Sequence, residues 1–382
     1  MKEPAKNPPP TLEPLSEREQ NVLHAVVHLH IHTGNPIGSE AAAQQMGQRY
    51  SSATIRNIMS RLSELGYLTQ PHTSAGRIPT WAGYRSYVKL LLADHRWTSH
   101  DVADTGNVPY AIPSTDPSPL RHEQSLDFIP GMPTEHEAST LVRSMSGRLA
   151  MLTRFASIAV GPFLRHSILE HMEFIRLRPR TLLAILVTKA GVVHNRTIHF
   201  DVDFQAIDLE HLNSYLKSQL GEWTLDELVL RIRSELNQGR AQANSLLQSA
   251  LLLAEQTLRA DTDQTDVFIE GKEHLLQQER FDNIDKIRPI LAAMEHRELW
   301  LELLERCAGG DVVEIRIGAE NWICGLDECT VITVPYGTSR QRLGTLGIIG
   351  PMRMDYRTMI PVVVAAAQRL SRRLTAHEIA CS

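Results

Sequence analysis

The sequence has no apolar run long enough to cross a membrane. Its longest apolar stretches are Leu182–Val187 and Pro361–Ala367, whereas a spanning helix needs roughly 18 or more such residues. Residues 1–14 combine prolines with charges of both signs and lack the apolar centre of a secretory signal. With 42% apolar residues among 382, the chain can still bury several cores. We therefore expect a folded cytoplasmic protein that has no membrane partner.

Cysteine is scarce, and its spacing argues against a metal site. The four cysteines are Cys307, Cys324, Cys329 and Cys381. They do not form the C-x-x-C pairs that hold zinc, so reduced thiols are expected. His24, His28 and His32 recur every four residues, but no carboxylate or cysteine accompanies them, and such histidines are more often an exposed helix face. We expect no metal and no cofactor.

The motifs of common enzymes are also missing. The sequence contains neither an H-E-x-x-H metal motif nor a G-x-S-x-G nucleophile turn. Gly344, Gly347 and Gly350 are each separated by two residues, which is not the spacing of a nucleotide-binding loop. No cluster of nucleophile, base and acid stands out. The chain is therefore not expected to be an enzyme, although an enzyme localised by a basic module is an alternative.

Charge is distributed unevenly along a chain whose net charge is −5. From Arg49 to Lys89 there are six cations and a single acid, Glu64, which gives this segment a net +5 and leaves −10 for the remainder. A basic module on an acidic protein suits phosphate binding by one domain, because affinity for a nucleic-acid backbone grows with the number of local cations. Charge alone fits a solvated helix surface as well.

Helical periodicity predicts three helices before residue 66. Ser16 is a suitable N-cap for the first helix, and Ser39 is a suitable N-cap for a short second helix. Ser51 or Ser52 starts a third helix, which has an apolar stripe along one side. The residues away from this stripe, which we call the recognition face, are Ser52, Ala53, Thr54, Arg56, Asn57, Ser60 and Arg61.

The recognition face has the side chains that suit a DNA major groove. Arginine can bond guanine bidentately, asparagine can do so with adenine, and threonine or alanine can meet a thymine methyl group. Periodicity alone fits a solvated surface equally well. However, residues 67–70 and 77–80 flank a flexible tip at 71–76 and predict a β-hairpin wing, so the segment is expected to be a winged helix-turn-helix. The wing residues expected to contact phosphate or minor groove are His72, Ser74 and Arg77.

We predict an α+β multidomain protein. The N-terminal winged helix-turn-helix DNA-binding domain covers residues 15–95, and a Pro- and Ser-rich linker covers 97–134. One α+β domain is formed by two segments, 135–205 and 262–378. Between them, leucines at three- and four-residue spacings predict a helical insert at 206–261.

Several segments resemble the signatures of the HrcA family of repressors, and the similarity extends over nearly the whole chain apart from the linker. These segments are Ser51–Asn57, Pro71–Thr80, Ile317–Asn321 and Gly347–Tyr356. The departures from the family pattern are His30 in place of Tyr, Ile37 in place of Val and Met352 in place of Thr. None of them touches the recognition face. The resemblance implies a GAF-like fold for the two-segment domain and a dimerisation role for the inserted helical domain.

The resemblance also implies a function, the negative regulation of transcription of chaperone (heat-shock) operons. The chain would bind double-stranded DNA as a homodimer at a CIRCE-type inverted-repeat operator, since a two-fold protein matches a palindromic site. The second implied partner is the GroEL chaperonin, whose diversion by heat-damaged proteins would leave less active repressor. An alternative is a regulator controlled by a small ligand in the GAF-like domain. In that alternative the pocket residues would be Gly318, Glu320, Asn321, Arg353 and Asp355. Without a ligand the same residues would have structural roles.

Overall fold

The computed structural model places most of the chain in helices and antiparallel sheets. The residues that the structure describes are 14–72, 75–94, 138–161, 163, 168–189, 193–200, 206–220, 223–237, 248–257, 266–276, 284–308, 313–337 and 342–380. The predicted linker at 97–134 and the wing residue Ser74 lie outside them. Within these ranges, no helix is long and apolar enough to span a membrane.

The N-terminal domain has the order of elements of a winged helix. These elements are α1 (Glu17–Thr33), α2 (Ser39–Gln45), α3 (Ser52–Glu64), β1 (Leu68–Thr69), β2 (Ile78–Pro79) and α4 (Trp81–Asp94). The strands β1 and β2 pair antiparallel, with Leu68 opposite Pro79. The predicted winged helix-turn-helix is thereby confirmed, and the chain is an α+β multidomain protein.

Serine caps fix where α1 and α3 begin. The Ser16 hydroxyl accepts a hydrogen bond from the Glu19 backbone N–H at 3.4 Å, and the Glu19 carboxylate accepts one from the Ser16 N–H at 2.8 Å. Ser51 caps α3 by accepting from the Thr54 N–H at 3.2 Å. Each cap satisfies backbone donors that a helix start leaves unpaired and contributes about 1 kcal/mol.

The apolar stripes of α1, α3 and α4 meet in one core. Val22 and Val26 of α1, Ile55 and Leu62 of α3, and Val88 of α4 are all fully buried in the same cluster. Burial of each such side chain stabilises the domain by about 1.5–3 kcal/mol. This core fixes the rotation of α3, and therefore decides which of its side chains face solvent.

His30, one of the departures from the family pattern, has a structural role at the end of α1. Its ring is 9% exposed, and Nδ1 lies 2.9 Å from the carbonyl oxygen of Asn35. Burial lowers the pKa of His30. The ring is therefore neutral at pH 7, with Nδ1–H as the donor to that carbonyl, and it stabilises the turn that leads into α2.

Beyond α4 the chain forms two further units. The elements, in chain order, are α5 (Ala138–Thr153), β3 (Ala156–Val160), β4 (Leu169–Arg178), β5 (Thr181–Thr188), β6 (Val193–His199), α6 (Ala206–Gln219), α7 (Leu225–Asn237), α8 (248–257), β7 (Val267–Glu270), α9 (Lys272–Leu276), α10 (Ile284–Glu295), α11 (Arg297–Ala308), β8 (Glu314–Ile317), β9 (Cys329–Gly337), β10 (Arg342–Pro351) and α12 (Tyr356–Ala380).

The first unit, the sheet domain, is a five-stranded antiparallel sheet in the order β7-β3-β10-β9-β8. One face, with Leu346 and Ile348 of β10, packs against α5 and α12 in the same cluster as the winged-helix core. The opposite face, with Ile349 of β10, packs against α10 and α11. Because both faces are covered by helices, nearly every residue of β9 and β10 is buried.

The second unit, the insert, interrupts the sheet domain between β3 and β7. A three-stranded antiparallel sheet, β4-β5-β6, shares its core with α6, α7 and α8. Phe174 and Leu186 on the strands and Leu212 and Leu228 on the helices are 0–2% exposed in this cluster. The packing unit is therefore larger than the helical segment at 206–261. Leucine spacing identified its helices but not the strands on which they pack.

Candidate nucleic-acid interface

A pair of serines joins the two helices of the helix-turn-helix. The Ser39 hydroxyl lies 3.0 Å from that of Ser52, which holds the start of α2 against the start of α3. The prediction that Ser39 caps α2 is wrong, because Ser39 is already helical and the N-cap is Gly38, without a side-chain cap. Since its hydroxyl is engaged and half-buried, Ser52 positions α3 and is not an open polar contact for a base.

The recognition face contains two polar side chains that are open to a ligand. Arg56 and Asn57 are both exposed near the start of α3, on the side away from buried Ile55 and Met59. Among the residues that the structure describes, neither side chain has a hydrogen bond or an ion pair. The guanidinium donors and the amide are thus available for the bidentate contacts that specify guanine and adenine.

The other members of the recognition face differ in what they can offer. Ala53 is exposed, Ser60 is half-buried, and the Thr54 hydroxyl lies 2.9 Å from the Ser51 hydroxyl within the cap. Arg61 is exposed and forms an ion pair with Glu64 at 3.5 Å. An exposed pair of this kind is weak and is readily exchanged for a phosphate. The geometry therefore favours Arg56 and Asn57 for base contacts and Arg61 for the backbone.

The wing is anchored to the helix-turn-helix through backbone hydrogen bonds. Ile37 and Arg77 exchange N–H···O bonds of 2.8 and 2.9 Å, an isolated antiparallel bridge that ties the turn before α2 to the residue before β2. At the tip, the Gln70 amide donates to the carbonyl of Ala75 at 2.9 Å, and His72 is exposed. The wing and α3 are therefore held as one rigid surface.

Gly76 permits this anchoring because a side chain has no space there. A Cβ on Gly76 would lie 2.4 Å from the backbone oxygen of Ile37 and 2.8 Å from its nitrogen. Gly76→Ala is therefore expected to displace the wing and to destabilise the winged-helix domain by about 1–3 kcal/mol, as for other overpacked sites. Urea unfolding followed by circular dichroism would measure the loss. The matched control is Gly147→Ala inside α5, where an added Cβ meets nothing within 4 Å, and an equal loss in both variants would contradict the prediction.

Sequence reasoning treated Arg85 as one more cation of the basic module, but the structure uses it differently. Its guanidinium forms an ion pair with Glu320 of the sheet domain at 3.0 Å and donates to the carbonyl of Ile315 at 2.7 Å. The charge available to DNA is therefore smaller than the composition of residues 49–89 suggested. No local signal could have found this pairing, because the partners lie more than 200 positions away.

Other residues of the C-terminal signature segments have structural roles in the sheet domain. The Asn321 side-chain amide is 5% exposed and donates to the carbonyls of Leu326 and Cys329. Asp355 caps α12 by accepting from the Arg357 N–H at 3.2 Å, and its other carboxylate oxygen accepts from the Thr358 hydroxyl at 2.7 Å. These contacts favour the structural interpretation of the two residues that the sequence left open.

The comparisons with known proteins agree with this geometry. The protein-family model described as "Winged helix-turn-helix transcription repressor, HrcA DNA-binding" matches residues 14–90, and the family model "HrcA protein C terminal domain" matches residues 139–360. The "Heat-inducible transcription repressor HrcA" of Syntrophobacter fumaroxidans is 34% identical over 94% of this chain and 97% of its own length. That of Geobacter sulfurreducens is 35% identical over 94% and 98%.

A solved structure shows that the fold is shared. A hypothetical protein solved at 2.2 Å resolution aligns with a TM-score of 0.57 and 23% identity, over 95% of this chain and 100% of its own. The family models together cover most of the chain, and the curated relatives exceed 30% identity over nearly all of it. The chain therefore belongs to the HrcA family of heat-inducible transcription repressors, which are DNA-binding regulators and not enzymes.

Proposed function

We propose that the protein represses chaperone operons by binding a CIRCE-type inverted repeat as a homodimer. The observation that carries this proposal is the exposed pair Arg56 and Asn57 on a capped helix, beside a wing anchored to the same domain. A helix of this kind contacts one half-site in the major groove, and two copies related by a two-fold axis contact both halves of a palindrome. Occupation of the promoter would then block transcription.

The insert offers a surface for the homodimer. On β5, Leu182, Ala184 and Leu186 face the helices of the insert, whereas the alternate residues Leu183, Ile185 and Val187 lie on the outer side of the sheet and are half-buried. Neighbouring exposed apolar residues on that side are Ile175, Leu177 and Val193. This apolar stripe along β5, with Glu173 and Asn195 beside its central residue Ile185, has the apolar centre and polar surroundings of an interface. A second copy of the same face would cover it symmetrically.

Release on heating is proposed to depend on the GroEL chaperonin. The support for this step is the family, whose curated members are named heat-inducible repressors. In this mechanism the chaperonin helps the repressor to reach its active fold. Damaged proteins compete for the chaperonin at high temperature, so the active repressor falls and the chaperone operons are transcribed.

A binding assay with a fluorescent CIRCE-type duplex tests the proposal. The duplex is compared with one whose second half-site is scrambled, each with and without chaperonin and ATP. We expect selective binding to the intact repeat and a larger active fraction with chaperonin. Equal binding to both duplexes by folded protein would refute operator recognition, and an active fraction independent of chaperonin would refute the release mechanism alone.

Two cavities at the junction of the winged-helix and sheet domains support a second candidate function, a regulator whose DNA binding is controlled by a small ligand. One cavity of about 460 Å³ lies between α1, α4 and the start of α12, where His28, Tyr87 and Arg357 are among its lining residues. Another of about 270 Å³ borders Arg85 and Glu320. A thermal-shift screen of small metabolites would favour this candidate if a hit also changed operator affinity in the absence of chaperonin.

Arg77 is expected to contact a phosphate, because it places a cation at the base of the wing and its backbone is fixed by the bridge to Ile37. Its side chain is half-buried. Arg77→Ala should weaken binding to operator and scrambled duplex alike, and should reduce the slope of log affinity against log salt by about one. Titrations at several salt concentrations measure that slope. Arg306→Ala, which removes an exposed cation of the sheet domain, should leave it unchanged. A loss confined to one base position would instead make Arg77 a base contact.

A further inference from the structure

The winged-helix domain is attached to the sheet domain through α4. The Arg85 guanidinium bridges two acceptors, the Ile315 carbonyl at 2.7 Å and the Glu320 carboxylate at 3.0 Å. The other oxygen of that carboxylate accepts from the Ile317 N–H at 3.0 Å. The Glu320 carboxylate is thus oriented by a hydrogen bond within its own domain, so its ion pair with Arg85 has a defined geometry.

The backbone of the same turn lies close to the Trp81 side chain at the start of α4. Gly318 has a φ of +55° and begins the 3-10 turn that ends at Glu320. A Cβ at this position would lie 2.6 Å from the Cβ of Trp81. The turn therefore abuts α4 closely, four residues before Arg85.

Another contact is made at the far end of α1. Arg353 lies in the segment between β10 and α12, and its guanidinium occupies the space over Gly34, the αL residue that ends α1. A cation is stabilised at this end of a helix because the last carbonyls carry partial negative charge. Nearby, the rings of Tyr84 and Tyr356 are 6.2 Å apart and both are buried. The domain contact therefore involves α4 at Arg85 and the end of α1 at Arg353. Because these two points lie on different helices, they restrict rotation of the winged-helix domain relative to the sheet domain.

We propose that Arg85, Glu320 and Arg353 are positioning residues for operator recognition, which fix the angle of each winged-helix domain relative to the dimerised remainder of the protein. The proposal rests on the homodimer proposed above. In such a dimer, a fixed angle sets the separation of the two α3 helices and hence the accepted spacing between half-sites. The three residues would then determine spacing without touching a base.

The ion pair between Arg85 and Glu320 is partly exposed at the edge of the domain contact. The side chains of Arg85 and Glu320 are 42% and 18% exposed, and a cavity of about 270 Å³ borders them. Pairs with this exposure are weakened by salt and contribute little to overall stability. The pair can therefore be removed without unfolding either domain, which makes the proposal testable.

The first test uses operators whose half-sites are moved apart by about five base pairs, half a helical turn, so that a rigid dimer cannot engage both. Wild-type protein should lose about 100-fold or more in affinity, because the second contact is no longer intramolecular. Arg85→Ala and Glu320→Ala should each lose about tenfold or less, with unchanged affinity for an isolated half-site. The double variant should equal either single one, since both remove the same interaction. Arg306→Ala, which removes an exposed cation of the sheet domain away from this contact, should behave as wild type.

The second test does not require operator recognition. Spin labels at Glu64→Cys in α3 and Glu298→Cys in α11, both exposed sites, report the distance between the two domains by double electron–electron resonance. The background carries Cys324→Ser and Cys381→Ser, and labelled protein is diluted with unlabelled protein. We expect a narrow distance distribution that broadens in Arg85→Ala and Glu320→Ala but not in Arg306→Ala.

The two tests separate this proposal from the proposed function. A distribution that stays narrow in Arg85→Ala and Glu320→Ala would overturn the positioning role, whatever the DNA result. A wild-type protein without preference for the inverted repeat would refute the proposed function, and the distances would still decide whether the contact fixes the domain angle. An unchanged spacing penalty in both variants, beside intact wild-type selectivity, would also overturn the proposal.

Discussion

Replacing Arg56 and Asn57 together with alanine is expected to abolish sequence preference while leaving the fold and the oligomeric state intact. Both side chains are exposed on α3, and within the described part of the chain neither has a partner whose loss would destabilise the domain. A bidentate contact to the correct base provides about 1–3 kcal/mol of discrimination, so the double variant should lose about 2–6 kcal/mol of specific binding. Binding to unrelated DNA should change far less.

Competition titrations of operator against scrambled duplex measure this effect as a ratio of affinities. The two single variants identify which base pair each side chain specifies, because the penalty should disappear for operators changed at that position. Lys89→Ala, an exposed cation of the same domain, should keep the wild-type ratio. If the double variant also kept the wild-type ratio of affinities, α3 would not be the recognition helix.

Replacing Ile185 with glutamate is expected to convert the proposed homodimer into a monomer. Ile185 lies at the centre of the outer sheet face of the insert, opposite Glu173 on β4 and Asn195 on β6. In a monomer the new carboxylate would be partly solvated beside Glu173, at a modest cost from the like charge on the neighbouring strand. In a dimer it would be buried without a partner, which costs several kcal/mol. Operator affinity should then fall by about 100-fold or more, because the two half-sites would be bound separately.

Sedimentation equilibrium and operator titration of the same samples would check both consequences. The matched control is Leu230→Glu, which changes a 62% exposed leucine on α7, on the helical side of the insert. It should remain dimeric. Dissociation by Leu230→Glu in place of Ile185→Glu would assign the interface to the helices, and full dimerisation of both variants would remove the insert from the interface.

The winged-helix domain could be predicted closely because its signals are local. The Ser16 and Ser51 caps, the apolar stripe of α3 and the turn residues of the wing all act within a few positions of themselves. Where the prediction for Ser39 was wrong, the competing partner was Ser52, 13 residues away in a neighbouring helix. Capping preference is a local rule, and a tertiary hydrogen bond overrode it.

The insert shows the opposite case. Leucine spacing predicted its helices. That the strands pack with these helices, and not with the five-stranded sheet, depends on a core formed by residues such as Phe174 and Leu228. Periodicity assigns a buried face to each element, but it does not say which other buried face covers it. The boundary of the packing unit was therefore visible only in three dimensions.

The sequence by itself determined the kind of protein and the α3 face that we propose for DNA contact, because caps, helical periodicity and short signature segments are local properties of the chain. The tertiary structure alone decided how that face is held. Arg85 joins Ile315 across 230 positions, and Arg353 lies against Gly34 across an even greater separation. Contacts at such separations arise only when the cores have packed and brought distant segments together, so no pattern along the sequence could have assigned these arginines to the domain junction.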